Sequence, residues 1–392
     1  MTRLCNYVRV VLKKRGDILD NTVVGISTNS IADTLTFYDL QRLPKNILTD
    51  VMEQMGEDPK QVSKQVMAEM IWAEIKTNRS MRNELLEPHE LNLFTNKVTT
   101  SYYKTASLKD LKEKIIAKEG TEVITNQIEI DDESINSIPK IFSICDCPEQ
   151  IFGKNKFMLR FLYQNGFYYI PTPEGNNQIK KIQTITALVD EENGIIEIRS
   201  NTTASKKIPT ILANYFEDRP QIDKLNILFK HNETTENLAR ALQGKLLESS
   251  GEPTLPLEDL NDNQVQEIQN ILDVIDIGLS QKNSEAIDYS SVIDSASEVI
   301  FEEQSPVPFL ALILAGLDKV SLKTFVESLV TSPLYKSLAP YLTNHGGYIS
   351  FSVTFKSLLD EHTIQVAKQS NTIYFPGNSN EVAIKKVRDA IL

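Results

Sequence analysis

The chain has 392 residues, 41% apolar and 24% charged, so it is long enough for roughly two or three folding units and shows neither the polar bias of a disordered chain nor a fibrous repeat. Its formal net charge of −12 argues against broad, sequence-independent affinity for nucleic acid, because such affinity comes from neutralising phosphates with Lys and Arg, although a local basic patch is compatible with it. Three cysteines, Cys5, Cys145 and Cys147, exclude the disulfide framework of a secreted scaffold.

The first residues carry scattered charges rather than a secretory signal. The longest apolar run, Pro308 to Leu317, stops well short of the ~20 residues of a membrane span. The expected setting is cytoplasmic, with no membrane contact.

In chain order, Tyr7 to Leu12 and Thr22 to Ile26 read as a hairpin turning at Arg15-Gly16-Asp17. A helix follows from Asn46 to Met55 and ends at Gly56. Asp58 and Pro59 are placed to cap and open the next helix, whose stripe combines Val62, Val66 and Met70 with Met67, Ile71 and Ile75. A short helix lies between Asp110 and Gly120, and the alternation from Val123 to Ile130 reads as a strand ended by Asp131-Asp132-Glu133, a solvated carboxylate run without the spacing of a calcium loop. Cys145-Asp146-Cys147 lacks the further ligands of a closed zinc site and reads as the end of a strand.

Asn155 is placed to cap a helix through Phe157, Leu159, Phe161 and Leu162, with Asn165-Gly166 ending it and Phe167 to Ile170 extending as a strand. The runs 182–189 and 194–199 form a hairpin about Asn193-Gly194. Three units share the order strand, polar cap, helix: Ile195 to Arg199 into the helix carrying Lys206 and Lys207, Ile227 to Lys230 into that of Leu238, and Thr372 to Phe375 into that of Lys385 and Lys386. Pro209 makes the first of these helices begin late or kink.

Ser249 to Pro256 has linker composition. Beyond it, apolar stripes at Val265–Leu279, Leu310–Leu317 and Leu322–Leu329 read as helices, and His345-Gly346-Gly347 as a turn before two strands, Tyr348–Phe355 and Thr363–Ala367. The fold class is α+β: an N-terminal α/β region with a helical hairpin (1–150), a central strand-helix domain with a β-hairpin (151–250), a helical region (257–345) and a small α+β terminus (346–392).

The chain has no phosphate-loop, dinucleotide, zinc-protease or nucleophile-elbow motif, and its four histidines, His89, His231, His345 and His362, read as surface or turn residues. The leading expectation is a non-enzymatic interaction or regulatory subunit of a larger assembly, meeting protein partners and using no cofactor. One alternative is a Mg²⁺-dependent phosphodiesterase or nuclease on the 182–199 hairpin, in which Asp190 and Glu197 hold the metal and Arg199 polarises the phosphate. Against it, Glu197 and Arg199 read more readily as decoration of a half-solvated strand, and Arg cannot accept a proton. The other alternative is a nucleic-acid-binding module, with anions drawn to the helix starts beside Lys206, Lys207, Lys385 and Lys386.

Overall fold

The computed structural model describes residues 29–125, 134–173, 175–253, 320–324 and 327–392, with a few single positions between 263 and 273. The chain is α+β, with helices packed on antiparallel strands. It divides into two compact units, one of residues 1–227, 352–364 and 370–392, the other of 228–351 and 365–369. The N-terminal hairpin, the 131–133 carboxylates and the stripes at 265–279 and 310–317 lie outside the described residues.

The sheet of the first unit contains β1 (Thr99–Lys104), β2 (Lys140–Asp146), β3 (Lys156–Thr172), β4 (Gly175–Asp190), β5 (Ile195–Arg199), the two-residue β6 (Asp223–Lys224) and β11 (Thr372–Tyr374). Their order is β2-β3-β4-β5-β1-β11, with β6 also on β1. The alternation of side chains along these strands gives the sheet two unlike faces. Phe157, Leu159, Phe161, Ile185, Ala187, Val189, Ile196 and Ile198 form one apolar face, packed on α5 (Leu111–Glu119), α6 (Glu122–Thr125), α8 (Thr202–Ser205) and α9 (Ile208–Ala213). The intervening residues Met158, Arg160, Thr184, Thr186, Leu188, Glu197 and Arg199 are also buried, but most are polar. Met158 and Leu188 join a second core with α1 (Phe37–Leu40), α2 (Lys45–Gln54), α3 (Lys64–Ile75), α4 (Arg79–Leu86) and Phe152 of α7 (Glu149–Phe152).

Several expectations shift. Asp58 does not cap α3: its Oδ1 accepts from Lys60 N two residues on, and Ser63 is the cap, its hydroxyl accepting from Val66 N. The buried stripe of α3 is Met67, Ala68, Ile71 and Ile75, with Val66 exposed. Val123 and Ile124, adjacent and both buried, belong to α6 rather than to a strand. The predicted helix after Asn155 is the first half of β3. Asn155 has φ +54°, whereas a helix N-cap takes extended backbone, and Phe157, Leu159, Phe161 and Tyr163 follow a period of two. The hairpin at Asn193-Gly194 forms as expected between β4 and β5, and Pro209 sits at the start of α9, which begins late.

In the second unit, β7 (Lys245–Pro253) pairs with both β8 (Val320–Lys323) and β9 (Leu342–Phe355). Ser249 to Pro253, predicted as linker, is thus a central strand despite its composition. Leu322, predicted helical, lies in β8, and α11 (Pro333–Leu338) follows. His345-Gly346-Gly347 is within β9, not a turn. The glycine is needed because a Cβ at Gly347 would collide with the Glu248 carbonyl across the ladder. Ile227 to Lys230 is not a strand: a 3-10 turn at Phe229–His231 leads to α10 (Thr235–Ala241), capped by Thr234. Tyr348–Phe355 and Thr363–Ala367 are extended, in β9 and in β10 (Leu358–Ala367). Among the described residues no helix is long and apolar enough to cross a membrane.

Candidate functional site

Glu197 and Arg199 share one face of β5, as period two requires, but that face is buried: their exposures are 1% and 3%. Arg199 Nε donates to Glu197 Oε1 at 2.8 Å. Both meet the C-terminal helix α12 (Glu381–Ile391), which Asn380 caps through Ala383 N. Glu381 and Arg388 lie seven residues apart, two turns along one helix face. Arg388 Nε donates to Glu197 Oε2 at 2.6 Å, and Arg199 Nη2 and Arg388 Nη2 donate to Glu381 Oε1 at 2.9 and 2.7 Å. Burial raises the Glu197 carboxyl pKa, but the Arg388 and Arg199 charges outweigh it and hold the group at about 2.

Asp190 stands two ladder positions from Glu197 and is committed elsewhere. It accepts from Asn193 N and Nδ2 and pairs with Lys156 at 3.0 Å. The structure therefore brings Glu197 and Arg199 together and leaves Asp190 apart, and the carboxylate oxygens of Glu197 face guanidinium groups. Among the described residues no three His, Cys, Asp or Glu side chains gather as a metal-ligand set.

The lysines flagged at helix starts scatter. Lys207 donates to Ser137 O, Lys386 to Ser352 O, and Lys385 pairs with Asp389 one turn on. Lys206 is exposed. α8 is too short, at four residues, to act as an anion-binding helix.

The first unit instead builds a cationic cavity of about 650 Å³ over the polar face of the sheet. Among the described residues its basic lining is Arg42, Lys45, Lys64, Lys97, Arg160 and Arg199, and its acidic lining is Asp39. Arg160, 1% exposed, donates through Nη2 to Asp39 Oδ2 at 2.5 Å and through Nη1 to Thr186 Oγ1. Its guanidinium stacks 3.7 Å from the Phe94 ring centroid. Asp39 also accepts from Thr184 Oγ1 at 2.7 Å and Thr36 Oγ1 at 2.6 Å. Burial raises its pKa, but Arg160 and these donors together hold the carboxyl below its usual range.

Asp39 is thus spent on Arg160, and Glu197 and Glu381 on Arg199, while among the described residues Arg42, Lys45, Lys64 and Lys97 meet no further lining carboxylate. Burial, and after it the neighbouring Lys97 charge, lower the Lys64 pKa. Among the described residues two buried guanidinium donors, Arg160 Nε and Arg199 Nη1, have no hydrogen-bond partner. Phe94 and Lys97 take left-handed backbone, φ +62° and +47°, so the loop that closes one wall is held in a conformation non-glycine residues seldom adopt. Asn96, Asn165, Gln183, Ser200 and Asn201 add neutral donors and acceptors around the cations.

Sequence reasoning missed this site because its cations come from five separate segments. The one local signal was the alternation around Arg160, which places a charge among the inward positions of a buried strand. No protein-family model matches this chain, and no curated protein matches it in sequence.

Proposed function

We propose that the protein is a non-catalytic binding subunit whose first unit holds a phosphorylated ligand in the cationic cavity. The observation that carries this reading is a cavity whose lining brings Arg42, Lys45, Lys64 and Lys97 together beside Arg160 and Arg199, with one carboxylate, Asp39, that Arg160 already neutralises, in a chain of net charge −12. Clustered cations attract the oxygens of a phosphate, and the planar fork of Arg matches them bidentately. Binding rather than hydrolysis is favoured because Glu197 and Asp190, the carboxylates a Mg²⁺-dependent nuclease would use, are already bound to Arg199, Arg388, Lys156 and Asn193.

A regulatory or interaction role beside protein partners remains part of the proposal, as does a cytoplasmic setting, to which the two buried free thiols Cys145 and Cys147 lend support.

Titration with pyrophosphate and a nucleoside triphosphate, without divalent metal, tests the reading by calorimetry and by thermal shift. Saturable binding that raises the melting temperature is expected, since a ligand of the folded state stabilises it. Lys64→Glu with Lys97→Glu should remove both signals. No heat and no shift at millimolar ligand would overturn the proposal.

A further inference from the structure

β3 and β4 run on beyond the sheet. β2 pairs with β3 only as far as Leu162, and β5 pairs with β4 only as far as Thr186, whereas β3 and β4 pair with each other out to Thr172 and Gly175. Among the described residues, 167–180 has no third strand. The ribbon starts at a bulge between Gln164 and Phe167, where Gly166 takes φ +85°, and a bulge bends and re-aims a strand pair. Beyond it Phe167, Tyr168, Tyr169, Ile170 and Ile179 are all exposed, Tyr168 and Tyr169 by 55% and 60%. Lone exposed apolar residues need no explanation, but a two-stranded arm with Phe167 and Tyr169 on one face and Tyr168, Ile170 and Ile179 on the other does.

Two features say what covers them. The root of the arm, Asn165 and Gln183, lines the cationic cavity, so the rings continue from the phosphate site. The arm's charge is also basic: the sequence from 164 to 183 holds Lys180 and Lys181 against a single carboxylate, Glu174, and the Lys181 ammonium lies 5.3 Å from the Tyr168 ring centroid. Flat aromatic faces beside cations, leading out of a cationic cavity, are what unpaired bases and their phosphates require. A duplex hides its base faces, and a ligand confined to the cavity leaves the arm unused.

We infer that the arm is a stacking platform for single-stranded nucleic acid, whose phosphates enter the cavity while successive bases lie on Phe167 and Tyr169, the two rings that share one face of the ribbon. The inference rests on the cavity reading above and adds the ligand class. Because every base has a π-face, binding tolerates sequence variation and discriminates against duplex.

Fluorescence anisotropy of the full chain with labelled single-stranded DNA and RNA 20-mers and their duplexes, over a salt series, tests it, with pyrophosphate calorimetry in parallel. Single strands are expected to bind more tightly than duplex. The exposed-site variant Phe167→Ala/Tyr168→Ala/Tyr169→Ala should weaken strand binding about tenfold to a hundredfold while keeping the salt slope and pyrophosphate binding. Lys64→Glu/Lys97→Glu should flatten the salt slope and lose pyrophosphate as well. If the aromatic variant binds strands like the parent, or if pyrophosphate binds while no strand does, the arm inference fails and the cavity reading stands. If neither binds, both fail. If the aromatic variant changes only the oligomeric state measured by light scattering, the arm is a contact between copies and the inference is overturned.

Discussion

Arg388, near the end of the chain, donates from Nε to Glu197 Oε2 at 2.6 Å, tying the last helix to the middle of the sheet through two fully buried charges. With Arg199 and Glu381 they make a square of two cations and two carboxylates, so each charge leans on two neighbours.

Removing one corner leaves the others buried without full compensation. Glu197→Ala should destabilise the protein by about 3–5 kcal/mol, far more than the roughly 0.5 kcal/mol of an exposed strand position. Chemical denaturation measures this, and a loss under 1 kcal/mol would contradict the burial described for the square. The Glu197 pKa falls from 4.5 in the open chain to about 2 in the fold. Its stabilisation is therefore complete above pH 4.5 and drains away as pH falls from there toward 2. Denaturation midpoints across that window should show the slope, and it should diminish in Glu197→Gln.

A second pH effect lies higher. His89 and His362 are buried and their pKa values are lowered, in each case first by desolvation. A histidine whose folded pKa lies below its open-chain value of 6.5 favours folding while neutral, so stability should fall as pH drops below 6.5. Melting temperatures at pH 7.5, 6.5 and 5.5 check this, and His89→Gln/His362→Gln should flatten the dependence whatever its absolute stability.

Cys145 and Cys147 are buried, and burial pushes the Cys145 thiol up to about 12 and raises that of Cys147. The thiolate is the reactive form. In a Cys5→Ser background, iodoacetamide at neutral pH should leave the native protein unlabelled and modify both thiols after unfolding, as read by intact mass.

Gly194 turns the β4–β5 hairpin with φ +65°, and a Cβ there would collide with the Thr105 carbonyl. Gly194→Ala combines a disfavoured backbone with a backbone clash and should cost more than about 1 kcal/mol. Ala substituted at Gly56, φ +81° with open space around it, meets only the backbone penalty and should cost less.

What the sequence made legible was local. The stop at Gly56, the Asn193-Gly194 hairpin and the polar caps ahead of α8, α10 and α12 depend on residues within a few positions of one another. The errors share a different cause. Ser249 to Pro253 resembles a linker yet is a central strand, because β8 and β9 complete its hydrogen bonds from 69 or more residues away in sequence. Phe157 to Leu162 has enough apolar residues for a helix, and only its neighbours β2 and β4 make the period of two decisive. The cavity escaped notice for the same reason: Arg42, Lys64, Lys97 and Arg160 converge through the fold, and none has a motif around it.

The closing of the ion square by the last helix sets a clock on synthesis. Arg199 and its partner Glu381 are 182 residues apart. At about 5–20 residues per second, the ribosome takes roughly 10–40 s to deliver one after the other. For that interval the nascent sheet must either stay open at the polar face of β5 or hold Glu197 and Arg199 with only each other for charge. β1 waits as well for β11, which arrives just before the helix. The first unit therefore matures from its two ends, and ribosome-bound chains stalled before Glu381 should remain sensitive to protease across β5, a sensitivity that disappears once Arg388 has emerged.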